Sequence, residues 1–97
     1  MDTGIKLELI DEICEIARQN NIDKVVLFGS RARGDYRERS DIDLAVIGGN
    51  YERFVADIED KTNTLLMYDI VNMNISVQKE LMESIKKEGV ILYEKIW

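Results

Sequence analysis

Apolar positions recur along this chain in two periods, and the change from one to the other outlines its elements. Leu9, Ile10, Ile13, Ile16 and Ala17 lie near helical spacing within residues 6–20, which predicts a first helix closed by Asn20-Asn21. Lys24-Val25-Val26-Leu27-Phe28 is a β-branched run that stops at Gly29, the pattern of a buried strand. Residues 30–34 suit a helical turn, and the charged stretch 35–40 reads as a loop. From Asp41 to Ile47 the chain opens Asp, Ile, Asp, Leu, the period of a strand with two unlike faces. Gly48-Gly49-Asn50 is a turn. Residues 51–64 place Phe54, Val55 and Ile58, and then Leu65, at helical intervals. Residues 66–72 predict a third strand. Ser76 is placed to cap a helix over 77–88, in which Val77, Leu81 and Ile85 stand four apart, and Gly89 to end it. Val90 to Tyr93 completes the order as a last short strand.

Helices and strands in strict alternation predict an α/β (α+β) domain, a small sheet flanked by helices. The sheet can be mixed, because the chain is too short for many long crossovers. Ninety-seven residues make a single domain, 1–97, without a repeat, a low-complexity stretch or any proline. A chain of this size buries roughly 60–65% of the surface its unfolded form exposes. One core fits, with little room for a separate acceptor-binding domain, so another molecule is expected to present any acceptor. The positions of Ile96 and Trp97 leave open whether this apolar tail covers the sheet or meets a partner.

Composition narrows the chemistry. Apolar residues make up 45% and charged residues 33%, as in an ordinary globule, and no apolar run approaches the ~20 residues of a membrane span. Met1-Asp2-Thr3-Gly4 lacks the pattern of a signal peptide, and Cys14 has no second cysteine to pair with. A cytoplasmic location is expected, with Cys14 as core filler. The formal net charge is −6, the wrong sign for general binding to duplex nucleic acid. Arg31, Arg33, Arg37 and Arg39 cluster locally, which suits a small anion such as a triphosphate. Histidine is absent, which excludes histidine triads and histidine-ligated metals. Carboxylates, hydroxyls, lysine, arginine or an oxygen-bound metal remain.

The chemistry-bearing stretch is Gly29-Ser30-Arg31-Ala32-Arg33-Gly34 followed by Ser40-Asp41-Ile42-Asp43-Leu44. Side chains two apart in a strand share a face, so Asp41 and Asp43 would stand side by side while Ile42 and Leu44 face the core. Two like charges so close repel unless a cation joins them. All-oxygen ligation favours Mg²⁺, which keeps waters and phosphate oxygens in its shell. Taken alone, the pair could equally line a solvated strand face. Gly29-Ser30 follows an apolar strand and opens a helical turn, where free N–H groups and a glycine admit a phosphate. Taken alone, it could be a turn with a serine cap. It is not a phosphate loop of the Gly-x4-Gly-Lys type, because Asp35-Tyr36 stands where Lys-Ser/Thr is required.

Ten residues separate Ser30 from Asp41, and adjacent strands bring both to one end of the sheet. One arrangement then explains both: phosphate on the loop and metal on the acids. Arg31 and Arg33 would reach the phosphates, or pair with Asp35, Glu38 or an acid of the first helix. A third carboxylate is needed if two metals are to clamp attacking and leaving oxygens. Asp69, inside the run Met67-Tyr68-Asp69-Ile70-Val71, is the candidate; Asp57, Glu59 and Asp60 lie on a helix, where solvation explains them.

At these residues the sequence resembles the DNA polymerase β-type nucleotidyltransferase superfamily, and within it the small prokaryotic minimal nucleotidyltransferases. The resemblance rests on Phe28-Gly29-Ser30, the spacer to Ser40, Asp41-Ile42-Asp43-Leu44 and Asp69, and extends to the ending from Ile85 through Gly89-Val90 to Tyr93-Glu94. It implies a mixed sheet flanked by helices, two Mg²⁺ ions on Asp41, Asp43 and Asp69, and ATP held at Gly29, Ser30, Arg31 and Arg33. It implies transfer of AMP to a hydroxyl. It also implies an all-helical partner of the HEPN class (higher eukaryotes and prokaryotes nucleotide-binding), a toxin to which such proteins act as antitoxin. Two other readings stay open: an antitoxin that blocks its partner by occupancy, and transfer to a small molecule of the aminoglycoside kind. The latter would need a pocket shared within a homo-oligomer.

Overall fold

The apolar run Lys24–Phe28 forms β1, an inner strand of a four-stranded mixed sheet in the computed structural model, which describes residues 2–96. Trp97 therefore lies outside the described residues, while Ile96 beside it is exposed. The elements run α1 (Leu7–Gln19), β1, α2 (Gly29–Arg33), β2 (Ile42–Ile47), α3 (Tyr51–Lys61), β3 (Tyr68–Asn72), α4 (Lys79–Glu88) and β4 (Val90–Glu94). Across the sheet the order is β3-β2-β1-β4. β1 pairs antiparallel with β2 and with β4, whereas β2 and β3 run parallel, joined by the α3 crossover. The expected α/β architecture, a small mixed sheet flanked by helices, is the one observed.

Alternation in β2 decides which helix covers which face. Ile42, Leu44 and Val46 are fully buried on one side, with Val25 and Leu27 of β1, beneath Leu9, Ile13 and Ile16 of α1 and Phe54 and Ile58 of α3. Each such side chain contributes roughly 1.5–3 kcal/mol by leaving water. On the opposite side Val26, Phe28 and Ala45 meet Ile85 and Leu81 of α4. This second cluster is small. α4 packs over β1, and the part of that face formed by β2 and β3 carries Asp43 and Asp69.

Several boundaries move from the expected ones. α3 ends at Lys61 with Thr62 as its C-cap, so Leu65 does not continue the helical stripe and stands fully exposed. β3 begins at Tyr68 rather than at residue 66. Ser76 caps nothing: α4 starts at Lys79, and its cap residue Gln78 makes no side-chain cap bond. Gly89 does end α4, but in extended backbone (φ −62°) rather than a left-handed turn. What requires glycine there is close approach, since a Cβ would lie 2.3 Å from the Ile85 carbonyl oxygen and 2.5 Å from Val26 Cγ1. Cys14 is only half-buried, and its thiol donates to the Leu92 carbonyl at 3.1 Å.

Asp57 also departs from expectation. It is buried, not solvated, and Asn20 Nδ2 at the end of α1 donates to Asp57 Oδ2 (3.0 Å) as well as to the Ile16 carbonyl (3.0 Å). Arg53 and Lys61 stand 3.5 Å from its other oxygen. The Asn20 hydrogen bond, with these two cations, holds Asp57 below the usual carboxylate range despite the cost of burial. The pair ties α1 to α3. Asp57→Ala leaves the buried Asn20 amide without this acceptor and is expected to destabilise the fold by about 1–3 kcal/mol. Urea unfolding checks it; an unchanged midpoint would mean that the tie contributes nothing.

Candidate active site

The site is built where β1 turns into α2 and where β2 begins. At Gly29 the backbone adopts φ +75°, which reverses the chain out of β1. The cap position of α2 falls on Phe28, which offers no side-chain oxygen, so Ser30 has no capping role. The Ser30 carbonyl instead accepts from Gly34 (2.9 Å) and Asp35 (3.1 Å), closing the turn. Gly34, left-handed at φ 91°, releases the chain into the loop. That loop returns through Ser40, whose Oγ accepts from the Arg37 N–H at 2.8 Å. Ile42 then starts β2, its N–H bonded to the Met67 carbonyl at 2.9 Å.

Register brings the acids together. Asp43 stands opposite Phe28 in the antiparallel pairing with β1, and opposite Asp69 in the parallel pairing with β3. Asp41 precedes Asp43 by two residues. The Asp43 carboxylate lies against the Gly29 turn so closely that a Cβ on Gly29 would come within 2.1 Å of Oδ2. Glycine is therefore needed here for this carboxylate as much as for any phosphate. Burial raises the Asp43 pKa to about 6, and the charges of Asp69 and Asp41 push it the same way; Arg33 and Arg31 oppose them. The three acids thus share one electrostatic field. As the side chains lie, they sit at charge-interaction range rather than ligand range: among the described residues, no group of three acidic, histidine or cysteine side chains is tight enough to hold a metal ion. Their chemistry fits one nonetheless. The donors are all carboxylate oxygens, and a cation would relieve an anion that burial and like charges disfavour.

A pH dependence follows. In the metal-free protein, Asp43 binds its proton more tightly folded (pKa about 6) than unfolded (3.8). Between those values the folded state holds the extra proton, so the contribution of Asp43 to stability is fully present below about pH 4 and is lost as pH rises through about 6. Melting curves of the chelator-treated protein are expected to show this loss, and Asp43→Asn to remove it. An identical pH profile in the variant would show that Asp43 is not the group responsible.

The two arginines part company. Arg33 is exposed, paired through Nε with Asp35 (3.2 Å) and through a terminal nitrogen with Glu88 of α4 (3.0 Å). Both are surface contacts of small net worth, which leaves the side chain free to swing. Arg31 is 1% exposed. Its donors go to the carbonyls of Ser40, Thr3 and Glu38. It adds positive potential at Asp43, but its guanidinium does not face solvent where a phosphate would arrive. A groove of about 900 Å³ beside the start of α1, lined by residues such as Ile5, Glu12, Glu38 and Leu65, contains none of the three acids. These lie instead on the open part of the sheet. The chemistry, not the depth of a hollow, marks the site.

The family profile of polymerase β nucleotidyltransferases matches residues 11–96, nearly the whole chain. The chain belongs to that family. It is a nucleotidyltransferase. A curated relative from Methanocaldococcus jannaschii, named as a putative protein adenylyltransferase, is 37% identical over 84 residues, which cover 77% of this chain and 82% of the relative. Among solved structures, a toxin–antitoxin with AMP-PNP is similar at TM-score 0.66 and 24% identity, over 89% of this chain and 73% of that one. The toxin–antitoxin MntA-HepT is similar at TM-score 0.61 and 19% identity, over 93% and 74%. At such identities these two establish the fold of the nucleotidyltransferase.

Sequence reasoning missed two residues that pack around this candidate site. Tyr51, at the start of α3, donates its hydroxyl to the Ile70 carbonyl at 2.8 Å and so steadies the edge strand that carries Asp69. Burial and the Asp69 charge raise its pKa. Tyr36 lies under the Arg31 guanidinium, 4.9 Å from centroid to carbon, and bonds Asp2 at 2.9 Å. The helical spacing of Tyr51 with Phe54 and Ile58 signals packing but not its hydroxyl bond; that bond and the one from Tyr36 to Asp2 join residues distant along the chain.

Proposed function

We propose that this nucleotidyltransferase moves AMP from ATP to a hydroxyl of a partner protein. The observation that carries the reading is the placement of the Asp43 carboxylate against the Gly29-Ser30 turn, within the charge field of Asp41 and Asp69. Phosphate and acids then meet at one point. Asp41, Asp43 and Asp69 would hold Mg²⁺, as two ions. When bound, these ions supply Lewis-acid stabilisation of the charge that develops on the attacking and leaving oxygens. The backbone of Gly29 and the Ser30 hydroxyl hold the β- and γ-phosphates. Arg33 exchanges its surface carboxylates for the leaving pyrophosphate, a charge-assisted contact. Asp69 orients the attacking hydroxyl and takes its proton. The hydroxyl oxygen bonds to the α-phosphorus as the bond to the β-phosphate oxygen breaks.

Arg31 receives no phosphate role in this reading, because its donors are committed to carbonyl oxygens. The acceptor is a protein because the relative's name specifies protein adenylylation and because the sheet face that holds the acids is open. Both of the solved structures named above are toxin–antitoxin structures, which favours an all-helical HEPN toxin in the cytoplasm as that partner. No helix among the described residues is long and apolar enough to cross a membrane.

The test is incubation of the chain with the product of the adjacent reading frame, ATP and Mg²⁺, followed by intact-mass measurement. A gain of one or more AMP units on the partner is the expected result. Neutralisation of the partner without any mass gain would replace transfer by occupancy, and no gain with any nucleoside triphosphate would remove the catalytic reading.

A further inference from the structure

We propose that Arg31 is a positioning residue that sets Asp41 relative to the Gly29-Ser30 turn, by tying the intervening loop to that turn and to the N-terminal segment. The inference rests on the metal role given to Asp41 above.

Arg31 follows Ser30 in α2, and its Nε donates to the carbonyl of Ser40, the residue before Asp41, at 3.0 Å. One side chain therefore joins the phosphate side of the site to its acid side. A terminal nitrogen reaches the Glu38 carbonyl at 3.2 Å, and the other reaches the Thr3 carbonyl at 3.0 Å. Three backbone oxygens from two separate segments converge on a single planar fork. Lysine cannot reproduce this, since its ammonium is a point donor without fixed directions. The Tyr36 ring supplies the other face of the charge at 4.9 Å. Tyr36 is itself held, because its hydroxyl donates to Asp2 Oδ1 at 2.9 Å, the same oxygen that accepts from the Gly4 N–H at 3.0 Å. Residues 2–4 thus form a strap across the loop.

A buried guanidinium whose hydrogen bonds all go to carbonyl oxygens rather than to a carboxylate, among the described residues, is a costly feature. An apolar side chain would fill the space more cheaply, but would leave those carbonyls without their donor. The return for the cost is a defined path for residues 35–41, a loop whose internal backbone bonding is otherwise slight: Arg37 and Ser40 bond each other. Arg33, two residues on, is exposed and bonded to side chains, so of the two arginines of α2 only Arg31 is buried.

The experiment compares the wild type with Arg31→Lys, Arg31→Ala and Tyr36→Leu. The first readout is binding of Mn²⁺ with an ATP analogue, followed by water-proton relaxation, which needs neither partner nor turnover. The second is the Mg²⁺ requirement, KM for ATP and kcat of transfer. Supporting groups behind metal ligands typically govern ~10–100-fold in metal affinity. Arg31→Lys is expected to weaken Mn²⁺ binding and raise the Mg²⁺ requirement by about tenfold or more, with KM for ATP within roughly twofold. Tyr36→Leu is expected to move both in the same direction by less. Methylguanidinium is expected to restore metal binding to Arg31→Ala. Unchanged metal binding in Arg31→Lys overturns the proposal, as does a rise confined to KM for ATP, which would put Arg31 on the phosphates. Wild-type protein that binds Mn²⁺ in an Arg31-dependent way but transfers nothing would fail the transfer reading and leave the positioning role standing.

Discussion

Asp43→Asn is expected to lower AMP transfer by about 10³-fold or more while raising the melting temperature of the metal-free protein near neutral pH. The two effects have one cause. Asp43 sits between β1 and β3, opposite Phe28 on one side and Asp69 on the other, with its carboxylate pressed to the Gly29 turn. Burial and the neighbouring acids disfavour its charge, which is why its pKa stands near 6. A neutral amide of the same shape removes that penalty and stabilises the fold. It also removes the central anionic ligand of the proposed Mg²⁺ site. Lewis-acid stabilisation is worth several kcal/mol, and each 1.36 kcal/mol is tenfold in rate, so the loss reaches ~10³-fold. Initial rates of transfer and melting curves without metal, measured on one preparation, check both halves. Residual activity within tenfold of wild type would remove Asp43 from the metal site. A lower melting temperature would mean that the carboxylate stabilises the chain through contacts a simple charge argument overlooks.

Gly29→Ala is the second large effect expected. Two costs combine at this position. At φ +75° a side chain is strained, which costs of order 1–2 kcal/mol. The added methyl would also stand 2.1 Å from Asp43 Oδ2 and 3.1 Å from its Cγ. The carboxylate must move by about an ångström, and displacement on that scale costs ~10²-fold in a reaction that depends on alignment. Transfer is therefore expected to fall by about 10²-fold, more than a stability loss of a few kcal/mol accounts for where the variant remains folded. Gly34→Ala is the control, because it shares a left-handed backbone (φ 91°) but has nothing within 4 Å of the added carbon. Equal losses in the two variants would mean that backbone strain alone acts, and that the approach of Asp43 to the turn is irrelevant.

Much of the site was legible in the residues because its parts are local. The strand 24–28, the turn at Gly29-Ser30 and the alternation that turns Asp43 to the face opposite Ile42 and Leu44 are all properties of a few consecutive side chains. Their periods follow from backbone geometry, which neighbours along the chain share. Asp57 and Arg31 were not legible in this way. Both carry charge, which predicts exposure, and both are buried: Asp57 because Asn20 arrives from 37 residues away, Arg31 because the Thr3 carbonyl arrives from 28. Leu65 failed in the opposite sense, since an apolar residue at helical spacing predicts burial, and the helix stops before it.

By itself, then, the amino-acid order determined the run of elements and the two faces of β2, and it singled out the acids and the glycine proposed for the site. Tertiary structure alone decided the strand order β3-β2-β1-β4, the pairing that sets Asp69 beside Asp43, and the inward turn of Arg31. The physical reason is one of range. Periodicity and turn chemistry act between neighbours in the chain, whereas register, burial of a charge and the field on a carboxylate depend on groups that only folding brings within a few ångströms.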